Sequence, residues 1–160
     1  MNVRRARRTD LPHIAHMAAV GWRTSFTDIL DSDTIEHWLE TAYSLPSLEQ
    51  RLQDHPIFIV LIDGLIVAFA DVYVQHNIIV ISALCTHPEY RRQGAASALI
   101  EKARTLAPDL PLTADLLVGN AGAERFATSL GFHPEETLEA HLYGKPFLER
   151  RWRIEPVRIS

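Results

Sequence analysis

Leu84-Cys85-Thr86-His87-Pro88-Glu89-Tyr90-Arg91-Arg92-Gln93-Gly94-Ala95-Ala96-Ser97 is the stretch on which the rest of the chain turns. Upstream, Ile78 to Thr86 is an apolar, β-branched run of strand type. Downstream, Ala95, Ala98, Leu99, Lys102, Ala103 and Leu106 lie along one helical face. The segment is thus a strand, a short loop and a helix. A helix N-terminus leaves backbone N–H groups unpaired and carries partial positive charge. A loop wrapped ahead of it can cradle a phosphate or pyrophosphate. Gly94 lets phosphate oxygens approach the backbone, Ala95 and Ala96 keep the approach open, and Arg91 and Arg92 add fixed charge. Ser97 adds a hydroxyl donor in the first turn. Taken alone, the loop also fits an ordinary helix start with solvated arginines. The chain has neither Gly-Lys-Ser/Thr for a nucleoside triphosphatase nor Gly-x-Gly-x-x-Gly for a dinucleotide fold.

On the N-terminal side, three strands precede the loop. Ile57 to Ile62, Leu65 to Val74 and Ile78 to Thr86 are joined by Asp63-Gly64 and His76-Asn77, so an antiparallel meander is expected. Before them, Val3 to Arg8 reads as a short strand. Thr9 or Asp10 then caps a helix carrying Leu11, Ile14, Ala15, Ala18 and Trp22. Asp31-Ser32-Asp33 opens a second helix with Ile35, Trp38, Leu39 and Ala42 on one face, and Ser47 to His55 forms a short third. On the C-terminal side, Leu112 to Val118 is a strand parallel to the one ending at Thr86. Asn120 caps a helix with Ala123, Phe126, Ala127 and Leu130, and Gly131 ends it. Strands around Leu138 to Leu142 and Leu148 to Ile154 close the chain. The class is α+β: a mixed, mostly antiparallel sheet with a central parallel pair, flanked by helices.

The chain has 160 residues, 47% hydrophobic and 22% charged, which suits one domain over residues 1–160 with a core of its own. A single cysteine, Cys85, excludes an internal disulfide and suits a reducing compartment. The net charge of −4 and the short basic run Arg4-Arg5-Ala6-Arg7-Arg8, followed by Asp10, do not make a nucleic-acid footprint. No apolar stretch approaches a membrane span, and the arginine-rich start has no apolar signal-peptide region, so the expected location is the cytoplasm. No metal-ligand pattern stands out.

The stretch from Leu84 to Ala96 resembles the central motif of the GNAT superfamily of N-acetyltransferases, Arg/Gln-x-x-Gly-x-Gly/Ala after a strand ending in a Pro-x-Tyr turn. Arg91, Gly94 and Ala96 occupy its three fixed positions. Asn120-x-x-Ala123-x-x-Phe126 followed by Leu130-Gly131-Phe132 is similar to the second hallmark segment. Val3 to Leu11 and Trp22-Arg23 resemble family N-termini, so the resemblance runs through nearly the whole chain.

The resemblance implies a splayed parallel pair in which the pantetheine arm of acetyl-CoA lies as a pseudo-strand against Leu84, Cys85 and Thr86. It implies that Arg91, Arg92, Gln93, Gly94, Ala95, Ala96 and Ser97 hold the pyrophosphate and that Asn120 touches the cofactor. It implies direct transfer of acetyl to a small-molecule or peptide amine. The amine attacks, a backbone N–H stabilises the oxyanion, and a base and an acid move protons. Trp22 and Phe26 are expected to wall the acceptor pocket, unless they serve core packing as Trp38 does. Family analogy alone raises a homodimer through the C-terminal strands.

The sequence departs from the pattern where chemistry is expected. The usual acid, a tyrosine seven residues after the motif asparagine, is Ala127, and the usual glutamate base aligns with Val80. Asp71, Asp115 and His87 are the substitute bases considered, and Ser129 and Tyr143 the substitute acids. Solvated or structural roles compete at each. One rival reading is a CoA-binding sensor or interaction protein with little turnover. Another is a hydrolase using Cys85 with His87 as a nucleophile and base, against which stands a buried, inert cysteine.

Overall fold

The computed structural model describes residues 1–157. Its strands are β1 (Asn2–Arg5), β2 (Ile57–Ile62), β3 (Leu65–Gln75), β4 (Ile78–Thr86), β5 (Leu112–Leu117), β6 (His133–Leu142) and β7 (Lys145–Ile154). Its helices are α1 (Leu11–Ser25), α2 (Ser32–Ala42), α3 (Leu45–Asp54), α4 (Ala95–Arg104) and α5 (Ala121–Ser129). The strands form one sheet in the order β1-β2-β3-β4-β5-β7-β6. Every neighbouring pair is antiparallel except β4–β5. The α+β sheet with a central parallel pair is the one expected.

Helices cover both faces, which explains why β2 is an unbroken apolar run. Phe58 and Val60 point into a core with Leu99, Ala103 and Trp152, beneath α4 and α5. Ile57 and Ile59 point the other way, into a core with Ile14, Ile35 and Leu48 from α1, α2 and α3. The tight turns hold as read. Asp63 and Gly64 have φ of 51° and 77°, and His76 and Asn77 have 52° and 59°, as two-residue hairpins that follow strand twist require. Among the described residues, no helix is long and apolar enough to cross a membrane.

Some boundaries differ from the expectation. The first strand ends at Arg5, not Arg8, because the Asp10 carboxylate accepts from the Arg7 N–H at 2.7 Å and from Arg4 Nη1 at 2.8 Å, winding Arg8–Asp10 into a 3-10 turn. Asp10 therefore folds back instead of capping α1 with its side chain. The third helix begins at Leu45, capped by Ser44. β6 and β7 start earlier than expected, since their polar residues sit on a largely exposed hairpin.

One irregularity positions the site. The β3–β4 register passes from Val72↔Ile81 to Asp71↔Ala83, leaving Ser82 as an extra residue in β4. Before it, Ile79 and Ile81 face the α4 core; after it, Ala83 and Cys85 pack on the α1 side.

Candidate active site

The β4–β5 pairing stops where the bulge begins. It consists of Ile79↔Leu112, Val80↔Thr113 and Ile81↔Ala114. Beyond that point each strand is held only on its outer side. β4 keeps β3 through Ala83, Leu84, Cys85 and Thr86. β5 keeps β7 through Asp115↔Arg151, Leu116↔Arg150 and Leu117↔Glu149. The facing edges therefore present alternating N–H and C=O groups with no ladder partner, a slot that an extended, amide-bearing chain can enter.

The slot leads to the start of α4. Helices α2, α3 and α5 are capped by the side chains of Asp31, Ser44 and Asn120. At α4 the cap position is Gly94, which supplies no side-chain acceptor. The first intrahelical bond runs from Ala98 N–H to the Gly94 carbonyl at 3.0 Å, so the N–H groups of Ala95, Ala96 and Ser97 precede the helical ladder. Gly94 is left-handed, with φ of 85°. A Cβ built there would meet only the tip of Met1, at 4.0 Å, so the space in front of these amides is open. Arg92 is also left-handed, at φ of 65°. Arg91 donates to Ser25 Oγ at 3.1 Å, tying the loop to the end of α1. Open main-chain amides and exposed arginines fit a pyrophosphate, and the unpaired β4 edge fits the amides of a pantetheine arm. On these observations the residues present suit coenzyme A.

The structure brings Leu84, Cys85, Thr86 and residues 91–97 onto this one continuous track. Asn120 caps α5, accepting from the Ala123 N–H at 3.3 Å. The candidate proton-transfer residues are not brought together. Asp71 is buried on the α1 side; Arg51 Nη1 donates to its Oδ2 at 3.1 Å. His55 Nδ1 lies 2.8 Å from Asp71 Oδ1, a charge-pair distance without hydrogen-bond alignment. Burial pushes the Asp71 carboxyl up, against His55 and Arg51. Asp115 lies on the open end of β5, held by Arg151 through two bonds of 3.0 and 3.2 Å. Ser129 Oγ turns back to its own helix, donating to the Phe126 carbonyl at 2.6 Å. His87 Nδ1 accepts from the Glu89 N–H at 3.2 Å, a turn contact. Val80 lies opposite Tyr73 in the sheet, and Ala127 is core.

Cys85 is enclosed. Its thiol lies 3.6 Å from the Met17 carbonyl, and burial pushes it up to about 11, with Arg91 opposing. A thiol so disfavoured as a thiolate is poorly suited to nucleophilic attack.

On the α1 side of the slot, the connection between α1 and α2 meets the β6–β7 hairpin. Trp22 and Phe26 pack edge to face at 4.5 Å and line the rim of the α1-side core with Ile29, Leu117, Leu142 and Phe147. Ile29 reaches the turn after β5, where a Cβ on Gly119 would lie 3.7 Å from it. The hairpin tip is fastened to α2. Tyr143 stacks on His37 at 3.6 Å and donates to the His37 carbonyl at 3.3 Å, and Lys145 Nζ lies 2.9 Å from Asp31 Oδ2. Tyr143 is therefore a clamp residue in this structure.

The sequence alone does not mark Glu149, because Glu149-Arg150-Arg151 in a strand reads as a solvated face. It lies opposite Leu117 and is half-buried. Burial first, then the Asp115 carboxylate, push its carboxyl above the ordinary range, with Arg151 opposing. Two surface hollows, of about 320 Å³ beside His55 and about 340 Å³ against α5, lie away from the slot.

The fold and the matching proteins agree with this geometry. A model of the Acetyltransferase (GNAT) family matches residues 23–132. PaiA N-acetyltransferase from Thermoplasma acidophilum, solved in complex with coenzyme A, superposes with a TM-score of 0.80 at 19% identity, over 93% of this chain and 96% of its own. A GCN5-related N-acetyltransferase from Rhodopseudomonas palustris gives 0.80 at 22% identity, over 96% of this chain and 94% of its own. A ribosomal-protein-alanine N-acetyltransferase from Brucella melitensis gives 0.73 at 20% identity, over 97% and 99%. A comparison with curated proteins gives no match. The family match spans more than half of the chain, so this protein belongs to the Acetyltransferase (GNAT) family, whose members are N-acetyltransferases that use acetyl-CoA.

Proposed function

We propose that this single-domain chain moves the acetyl group of acetyl-CoA to a primary amine by direct attack. The observation that carries the reading is the coincidence of two openings. The β4 edge loses its parallel partner after Ile81, and the same strand runs on to a helix start with no side-chain cap. In this reading the backbone of Leu84, Cys85 and Thr86 pairs with the pantetheine amides. The amides of residues 92–97, with Arg91 and Arg92, hold the pyrophosphate, and Asn120 borders the arm from the end of β5. Acetyl-CoA supplies an activated acyl group as a thioester. A main-chain N–H of the open β4 edge stabilises the negative charge that develops on its carbonyl oxygen. The slot orients the reacting carbon toward the rim of Trp22 and Phe26, where a small-molecule or peptide amine enters. A lone, unpaired cysteine supports a cytoplasmic setting, where thiols stay reduced.

Of the candidate proton-transfer side chains Asp71, Asp115 and Ser129, Asp115 lies on the open end of β5, and Arg151 neutralises it. Asp71 is enclosed, and Ser129 is satisfied by its own helix. A second reading, a CoA-binding sensor with little turnover, is favoured by Val80 and by the buried Ala127 at the usual base and acid positions.

Calorimetry with CoA and a thiol-release assay over a panel of primary amines separate these readings. Binding together with amine-dependent thiol release supports transfer. Binding with no release for any amine supports the sensor. No binding overturns both.

A further inference from the structure

Glu149 differs from the other carboxylates around the slot. It lies on β7 directly across from Leu117, the last residue of β5, beyond the point where β5 leaves β4. Strand alternation sends its side chain to the α1 side. Phe147, two residues before it, packs in that core, and Arg151, two residues after it, pairs with Asp115. Trp152, of opposite parity, belongs to the α4 core. Asp71 is held by Arg51, Asp115 and Glu136 by Arg151, Asp31 by Lys145, and Glu36 by Arg23. Among the described residues, the Glu149 carboxylate makes no hydrogen bond or ion pair. A half-buried carboxylate without a partner is costly, and it gains most from a cation arriving from outside. The strands set apolar side chains beside it: Leu117 across on β5, Leu138 across on β6, and Phe147 two residues before it on the same face. One free carboxylate in such a setting matches one ammonium on an apolar body.

We propose that Glu149 is the carboxylate that receives the acceptor's ammonium and takes its proton, and that the acceptor is a primary monoamine on an apolar or aromatic stem. The inference rests on the acetyl-transfer reading above. In the step, the ammonium gives one proton to Glu149. The amine nitrogen forms the new N–C bond with its lone pair while the C–S bond breaks, and the sulfur leaves with that bond's electron pair. The second nitrogen proton goes to the thiolate, and Glu149 returns its proton to water. The charged groups acting on Glu149 are Asp115 on β5 and Arg151 on its own strand; β6 sets Leu138 across from it.

The test uses 2-phenylethylamine as acceptor, spermidine as the polycationic comparison, and the variants Glu149→Gln and Glu149→Asp. The wild type is expected to acetylate 2-phenylethylamine with higher kcat/KM than spermidine. Glu149→Gln is expected to lose about 100-fold or more in kcat/KM with its CoA affinity unchanged, and Glu149→Asp to recover part of the loss. Burial raises the Glu149 carboxyl in the folded state, so ionisation opposes folding above the ordinary glutamate range. Glu149→Gln is therefore expected to melt no lower than wild type at neutral pH, which a merely structural role would not produce. Retention of activity within twofold by Glu149→Gln overturns the inference. So does a preference for spermidine, or failure of the CoA-binding wild type to use 2-phenylethylamine. Failure of the wild type to bind CoA overturns the acetyl-transfer reading itself.

Discussion

Gly21 in α1 and Cys85 in β4 are in contact so close that a Cβ at position 21 would lie 2.6 Å from Cys85 Sγ. The pair sets the distance between α1 and the strand whose open edge forms the slot. Replacing Gly21 by Ala gains helix propensity of about 1 kcal/mol and forces an overlap costing about 1–3 kcal/mol. The expected result is a net loss of stability in chemical denaturation and weaker CoA binding, because relief of the overlap moves β4. Cys85→Ala removes the obstructing sulfur. In that background Gly21→Ala is expected to be neutral or stabilising. A double-mutant cycle showing simple additivity would contradict the contact.

Cys85 carries a second expectation. With its thiol at about 11, only about one molecule in a thousand is a thiolate at pH 8, against about a quarter for an unperturbed cysteine. Iodoacetamide is expected to label the folded protein at least 100 times more slowly than the unfolded chain. Cys85→Ala is expected to keep amine-dependent activity, whereas a cysteine nucleophile requires its complete loss.

Gly94 separates stability from binding. Nothing crowds its Cβ position, so Gly94→Ala is strained only by the left-handed φ of 85°. That costs about 1–2 kcal/mol. The methyl group also stands in front of the amides that open α4. CoA affinity is expected to fall at least tenfold, measured by calorimetry, while the melting temperature falls by only a few degrees. Gly64, left-handed at φ of 77° in a hairpin turn with an equally open Cβ position, is the control. Gly64→Ala should lower stability similarly and leave CoA affinity unchanged.

These glycines also mark how far the sequence could be followed. The strand–loop–helix at residues 78–106 was legible because β-branched residues give way abruptly to a period-3.6 stripe at a glycine. The meander was legible because its turns demand two successive positive φ values, which Asp63-Gly64 and His76-Asn77 supply. The extent of β6 and β7 was not, since most of the hairpin's side chains are polar and only a few, such as Phe147 and Trp152, turn into a core. Nor was the bulge at Ser82, which depends on register against β3 and not on any local preference. The carboxylates show the same limit. Asp71, Asp115 and Glu149 are alike as letters. Arg51 lies 20 residues from Asp71 and Arg151 lies 36 from Asp115, and only the fold shows that each finds its partner while Glu149 does not.

The β6–β7 hairpin is fastened to α2 through Asp31, whose carboxylate accepts from the Thr34 N–H and lies against Lys145. The Thr34 bond and then Lys145 lower its carboxyl from 3.8 to about 2. A depressed folded value contributes stability that is fully present above 3.8 and is lost as pH falls toward about 2. Wild type is therefore expected to lose its thermal-stability advantage over Asp31→Asn across that window, with the two melting curves converging below pH 2. At neutral pH, Asp31→Asn is expected to raise the KM for amine while leaving CoA affinity in place. The pair fastens the wall of the acceptor side and does not touch the helix start. Equal losses in both would show that the hairpin also shapes the cofactor track.

Arg151 lies beside two carboxylates that it treats differently: it binds Asp115 through two hydrogen bonds and acts on Glu149 only through its charge. If Glu149 takes the ammonium proton, the acid limb of kcat/KM reports its ionisation, displaced above the ordinary glutamate value by burial and by Asp115. Arg151→Met removes the positive charge that favours ionised Glu149, so Glu149 holds its proton more tightly and the limb moves to higher pH. Asp115→Asn removes the nearby negative charge and leaves the Arg151 guanidinium less occupied. Both changes favour ionised Glu149, so the limb moves to lower pH. Both shifts should shrink at high salt to the extent that solvent reaches the cluster. A proton acceptor elsewhere, such as Asp71 behind Arg51 and His55, would leave the limb in place in both variants. Asp115 acting as the base itself would instead make Asp115→Asn as damaging as Glu149→Gln.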